Sequence, residues 1–155
     1  EVIPAALVEK LRNSSLFNPG FETVEFLASC FLDMAWHQLE SALNVNVTRF
    51  ERQLMDSIGL IPEIVVRYRS PYFAHIFSGG YSAGYYSYIW AEVLDADAFE
   101  AFREHGIFDP ATAKSFRDNI LSRGGTDDPM KLYVAFRGQE PSVKPMLKRK
   151  GLLRE

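Results

Sequence analysis

Helix punctuation constrains this chain more than any other feature of its sequence. Asp109-Pro110 and Asp128-Pro129 each pair a good N-cap with the residue best tolerated in a first helical turn, and Gly124-Gly125 and Gly138 close the segments they open. Ser70-Pro71 repeats the grammar and should fail at Gly79-Gly80, because each glycine costs about 1 kcal/mol inside a helix. Ser142 opens a last helix that stops at Gly151. Upstream, Leu7, Val8 and Leu11 suggest a short helix over 5–12 ending near Asn13. Leu27, Phe31, Met34, Ala35 and Leu39 carry helical spacing from Glu22 to about Leu43. Thr48 and Glu51 resemble a capping box for a helix through Phe50, Leu54, Met55 and Ile58 that ends at Gly59. Residues 61–67 are β-branched, but Pro62 argues against a central strand. The expected architecture is all-α, with at most one short extended segment.

A length of 155 residues fits one domain, so residues 1–155 are expected to form a single unit. With 47% hydrophobic and 24% charged residues, disorder is not expected. The net charge of −3 has no basic face, which argues against nucleic acid; Lys148, Arg149 and Lys150 read as a solvated helix end. Apolar runs are too short for a membrane span. The single cysteine, Cys30, lies in an apolar helical pattern and reads as a buried structural thiol. Asn13-Ser14-Ser15 and Asn46-Val47-Thr48 match the glycosylation pattern by chance. Glu1 falls inside an apolar-periodic stretch, so the chain reads as a piece of a longer or processed protein, expected to be cytoplasmic.

Aromatic residues make up 14% of the chain and crowd into residues 72–90. Tyr81 and Tyr88 are seven apart, two helical turns, if a helix runs from about Ser82 to Leu94. On that helix Tyr85 and Glu92 share their side, whereas Tyr86, Ile89, Trp90, Val93 and Leu94 form a buried one. Phenols on a helix face commonly mean core or interface packing. Against that reading, Gly79 and Gly80 place permissive backbone directly before Tyr81. His75 adds a titratable donor near the same hinge, and a buried cluster of such groups is costly unless it meets hydrogen-bond partners. His37 and His105 read as helix-terminal or core histidines. Arg67 and Arg69 read as loop anchors that engage carboxylates.

The string FAHIFSGGYSAGYYSYIWAEVL, residues 73–94, resembles the Gly-rich loop and following helix of zinc metallopeptidases of the thimet oligopeptidase and peptidyl-dipeptidase family. Residues 16–37, LFNPGFETVEFLASCFLDMAWH, resemble the segment before that loop, and residues 116–152 resemble the family's closing helices. RYRSPYFAHIF inclines the resemblance toward the bacterial peptidyl-dipeptidase branch. It implies the C-terminal helical part of a larger zincin catalytic domain that hydrolyses short peptides with a zinc-activated water. The His-Glu-x-x-His ligands are not in this sequence, whose histidines are His37, His75 and His105. By the resemblance, zinc belongs to the N-terminal remainder of the same enzyme, and this portion alone is inactive. Tyr88 would then donate to the tetrahedral oxyanion, with Tyr81 as a second donor from the loop. His75, Gly79, Gly80 and, less specifically, Tyr85 would serve substrate binding. The alternatives are a non-catalytic helical peptide-binding module and a purely structural helical domain.

Overall fold

The computed structural model describes residues 2–41 and 44–153, all of them helix, turn or loop with no β-strand among them. The fold is all-α, as the punctuation requires. The helices are α1 (Ala5–Ser15), α2 (Pro19–His37), α3 (Val47–Ser57), α4 (Ala74–Phe77), α5 (Ser87–His105), α6 (Pro110–Phe116), α7 (Pro129–Arg137) and α8 (Lys144–Arg149). A 3₁₀ turn over Ser70–Tyr72 precedes α4, and a π-helical turn over Arg117–Leu121 continues α6.

Packing divides the chain into two compact units, residues 1–88 and 89–155, with the division inside α5. In the first unit, Ala28, Cys30 and Leu32 of α2 form a core with Val66, Phe73, Ile76 and Tyr85. Phe73 is fully enclosed, and burial of such a ring contributes about 2–3 kcal/mol. Burial and the charge of Asp33 push the Cys30 thiol up to about 12, so it is an inert packing group. In the second unit Val93 and Ala96 of α5 pack on Met146 of α8, and the rings of Phe102, Phe116 and Phe136 meet at 5.1–6.2 Å. The Asp109 and Asp128 side chains cap α6 and α7 by accepting from the Thr112 and Lys131 amides, and Gly138 ends α7 at φ 80°.

Several local expectations need correction. α2 stops at His37, short of the expected end; Leu43 lies outside the described residues. Apolar spacing continues to Leu39, which is half-buried although it lies beyond the helix, so periodicity alone does not mark an end. Asn46, not Thr48, caps α3, accepting from the Arg49 amide at 3.0 Å. Glu51 faces inward instead and bonds elsewhere. The basic end of the chain is not simply solvated: Arg149 of α8 lies 2.6 Å from Asp95, and Lys150 just after it lies 2.9 Å from Glu92. α1 buries none of its residues, and Val2, Leu11 and Phe17 stand 92%, 62% and 82% exposed. No helix among the described residues is long and apolar enough to cross a membrane.

Candidate active site

The aromatic segment is built on two buried carboxylates of the first unit. Glu51 of α3 accepts the Ser70 amide at 2.6 Å and the Arg69 guanidinium, so the chain is fixed where the 3₁₀ turn begins. Trp36 donates its indole N–H to the Ser70 hydroxyl at 2.7 Å. Ser70 is thus an anchored residue and not the helix cap its sequence suggests, whereas Arg69 is the loop anchor expected. Arg67 lies over the Tyr68 ring, 5.7 Å from its centre. Asp33 of α2 performs the second attachment, accepting the Ala83 amide at 2.9 Å and the Tyr85 amide at 2.8 Å.

Burial alone would raise the Glu51 pKa, but the Ser70 amide and hydroxyl and the Arg69 charge together hold it below its ordinary value. A depressed folded-state pKa adds stability above the unfolded value and loses it as pH falls through the folded one. Glu51→Gln is therefore expected to cost about 2 kcal/mol near neutral pH. The gap in melting temperature from the parent should shrink as pH falls below about 4. A gap that stays constant from pH 7 to pH 3 would show that the ionised anchor is not what stabilises the turn.

Between these anchors, the two glycines have different reasons for being there. A Cβ on Gly79 would meet the His75 Cα at 2.9 Å and its carbonyl oxygen at 3.0 Å, so close backbone approach excludes a side chain. Gly80 takes φ 83° and turns the chain out of α4. The carbonyls at the end of α4 are then met: Ala74 by the Ser78 and Gly79 amides, His75 by the Tyr81 amide at 3.0 Å, Ile76 by the Ser82 hydroxyl at 2.6 Å. The glycine pair thus forms a compact helix cap.

Tyr81, Tyr85 and His75 do not stand on one helix with Tyr88. α5 begins only at Ser87, and Tyr81 and Tyr85 lie in the turns before it. The turns nevertheless bring the rings together. Tyr81 stacks on Tyr88 with centres 5.2 Å apart and planes 20° from parallel, and Tyr85 meets Tyr88 edge-on at 5.3 Å. His75 packs 4.8 Å from Tyr68, 5.7 Å from Tyr85 and 6.2 Å from Tyr81. Its Nδ1 is buried, with no hydrogen-bond partner among the described residues. Tyr88 is 44% exposed, whereas Tyr85 is buried at 4%. The expectation that all the phenols share a wet face fails at Tyr85, whose ring completes the core; burial pushes its phenol up to about 12. Tyr86 and Trp90, expected on the buried side, are 52% and 44% exposed. Glu92, expected beside the phenols, is taken up by Lys150 and Arg149. The neighbouring Tyr81 hydroxyl, followed by desolvation, holds the Tyr88 phenol above its ordinary value. Tyr88 therefore stays protonated at neutral pH and remains a donor.

Both remaining histidines serve helix ends. His37 Nδ1 lies 2.8 Å from the Asp33 carboxylate and 2.9 Å from its carbonyl, and His105 Nδ1 lies 2.9 Å from the Ala101 carbonyl. Sequence reasoning missed Asp33 and Glu51 as loop supports. The available signal was an isolated acid within the apolar run LASCFLDMAW.

Comparison with known proteins decides the lineage. The family model of Peptidase family M3 matches residues 1–152. The chain belongs to peptidase family M3. It is similar to the dipeptidyl carboxypeptidase of Salmonella typhimurium, with 46% identity covering 98% of this chain and 23% of that protein. Similarity extends to oligopeptidase A of the same species (37% identity) and to saccharolysin of Saccharomyces cerevisiae (36%), each covering 98% of this chain and 22% of the relative. The chain thus spans a little over a fifth of the length of the curated relatives it matches. M3 peptidases are generally zinc-dependent. Among the described residues, no three His, Cys, Asp or Glu side chains group so as to hold a metal.

Proposed function

We propose that this chain forms one wall of the active site of a zinc-dependent peptidyl-dipeptidase or oligopeptidase, with Tyr88 and Tyr81 as hydrogen-bond donors to the oxyanion formed at the scissile carbonyl. The observation that carries this reading is the stacked Tyr81–Tyr88 pair, with Tyr88 open at the surface. Two phenols held side by side can both turn their hydroxyls to one oxygen as negative charge accumulates on it. Membership of the M3 family supports peptide hydrolysis as the chemistry.

His75 binds the peptide in this reading, since its Nδ1 has no partner among the described residues, is costly to leave unmet, and could be completed by a bound backbone. Gly79 and Gly80 give the loop the shape that presents Tyr81. Tyr85 acts from beneath, as packing for the Tyr88 ring. Short peptides are the substrates, and neither nucleic acid nor membrane is a partner. The zinc and the nucleophilic water belong to the remainder of the longer protein, and we place the enzyme in the cytoplasm. The apolar residues exposed on α1 support packing against that remainder, because a surface of this kind seldom stays open to water.

The 155-residue chain alone is expected to bind no stoichiometric zinc and to hydrolyse no short peptide. The complete protein should do both, losing activity to a chelator and recovering it on addition of zinc. Elemental analysis and a peptide-cleavage assay on both proteins make the test. Zinc-restored cleavage by the 155-residue chain would overturn the division of roles. A complete protein that binds peptides without cleaving them would instead support the non-catalytic module.

A further inference from the structure

We propose that Asp33 is a positioning residue that sets the spacing of the two phenolic donors through the backbone of the turn between them. The carboxylate is fully buried in α2, and its two oxygens accept amides two residues apart, Ala83 on Oδ1 and Tyr85 on Oδ2. His37 Nδ1 lies 2.8 Å from Oδ1 and supports the carboxylate from one turn further along the helix. The turn it holds is unfavourable for its own sequence. Ala83 adopts φ 53°, and the other non-glycine residues with positive φ among the described residues are Asn18 and Asn44, of a type that tolerates the left-handed region. Alanine has no side-chain group with which to stabilise that conformation, so the compensation comes from outside, through Asp33 on the amides that flank the turn.

The turn has direct consequences for the donors. Tyr81 accepts the Gly84 amide at 2.8 Å, and Gly84 accepts the Ser87 amide at 3.0 Å, so the strained residue lies within the link from Tyr81 to the first turn of α5. Tyr88 sits in that first turn and stacks on Tyr81. If Ala83 relaxes to an ordinary conformation, the link redirects and the 5.2 Å stack is lost. Asp33 would thus act on the reaction without touching a substrate. The catalytic part of this inference rests on the donor roles proposed above for Tyr81 and Tyr88.

The test uses the complete enzyme carrying Asp33→Asn, alone and combined with Ala83→Gly. Asparagine keeps the shape but replaces one acceptor with a donor, so one of the two turn amides loses its partner. Amide exchange at Ala83 and Tyr85 should accelerate by about 10²-fold while the amides of α2 remain protected. With the donors displaced by about an ångström, kcat should fall by about 10²-fold with a much smaller change in KM. Ala83→Gly should restore about tenfold of that loss in the double variant, because glycine reaches φ 53° without assistance. Two results would overturn the proposal: exchange at the turn accelerates while kcat stays intact, or α2 loses protection together with activity and Ala83→Gly restores nothing. The second outcome would make Asp33 a simple core stabiliser. If Tyr88→Phe is fully active while Asp33→Asn still loses kcat and Ala83→Gly still restores it, the oxyanion reading falls and the positioning role of Asp33 stands.

Discussion

Asp97→Ala is expected to cost about 3 kcal/mol of stability and to lower the melting temperature by about 10 °C. Asp97 is 1% exposed and joins three parts of the second unit. From α5 it accepts the Tyr133 hydroxyl of α7 at 2.7 Å, lies 3.4 Å from Nε of Arg137, and accepts the Ser142 amide ahead of α8 at 3.3 Å. Burial and the Asp97 charge together push the Tyr133 phenol well above its ordinary range, so it remains a donor to the carboxylate throughout the accessible pH range. Alanine takes from the buried Tyr133 hydroxyl its short acceptor, leaving the Leu94 carbonyl at 3.4 Å, and takes from Arg137 a buried counter-charge, although its Nε keeps the Asp97 carbonyl at 3.1 Å. Arg137 keeps Glu104, at 2.8 and 3.0 Å, which places the cost at the low end for a broken buried pair. The control is Asp95→Ala: its ion pair with Arg149 is exposed and should contribute under about 1 kcal/mol. Thermal unfolding followed by circular dichroism separates the two. Equal melting temperatures for both variants would mean that Asp97 is not the tie between α5, α7 and α8.

Asp97 also shows where sequence reading stops. Nothing nearby distinguishes it from the solvent-facing acids of α5, because its partners lie 36 to 45 residues further along the chain. The same holds for Asp33, whose partners are 50 and 52 residues away, and for Glu51, which looked like half of a capping box. Local grammar was reliable where its interactions are local. Asp109 and Asp128 cap the helices they were expected to cap, and Gly138 turns left-handed where α7 had to end. It failed at Ser70-Pro71, where Glu51 and Trp36 claim the amide and hydroxyl a cap would need. The phenols are an intermediate case. Their grouping was legible because a seven-residue interval is short, and the turn through Ala83 brings the rings together as a helix would have. The orientation of Tyr85, Tyr86 and Trp90 was not legible, because it depends on where α5 begins. That start is set by the attachment of Ala83 and Tyr85 to α2.

The second large effect belongs to Tyr88. A phenol aimed at a developing oxyanion strengthens its hydrogen bond as charge accumulates, so it favours the transition state over the bound peptide. Tyr88→Phe removes the hydroxyl and leaves a ring that can still stack on Tyr81 and meet Tyr85. In the complete enzyme kcat should fall by about 10²–10³-fold, the range for deletion of one oxyanion donor, with KM nearly unchanged. Melting temperature should scarcely move, since Tyr88 is 44% exposed and its ring is retained. Tyr86→Phe, 52% exposed two positions earlier, is the control and should keep the parent kcat. Because product release can limit kcat, the direct measurement is the single-turnover rate of peptide-bond cleavage with enzyme in excess. Donation to the oxyanion predicts cleavage slowed by about 10²-fold or more in Tyr88→Phe and unaltered in Tyr86→Phe, with the same peptide affinity in both. Parent-like cleavage by Tyr88→Phe, or an equal slowing in both variants, would contradict it.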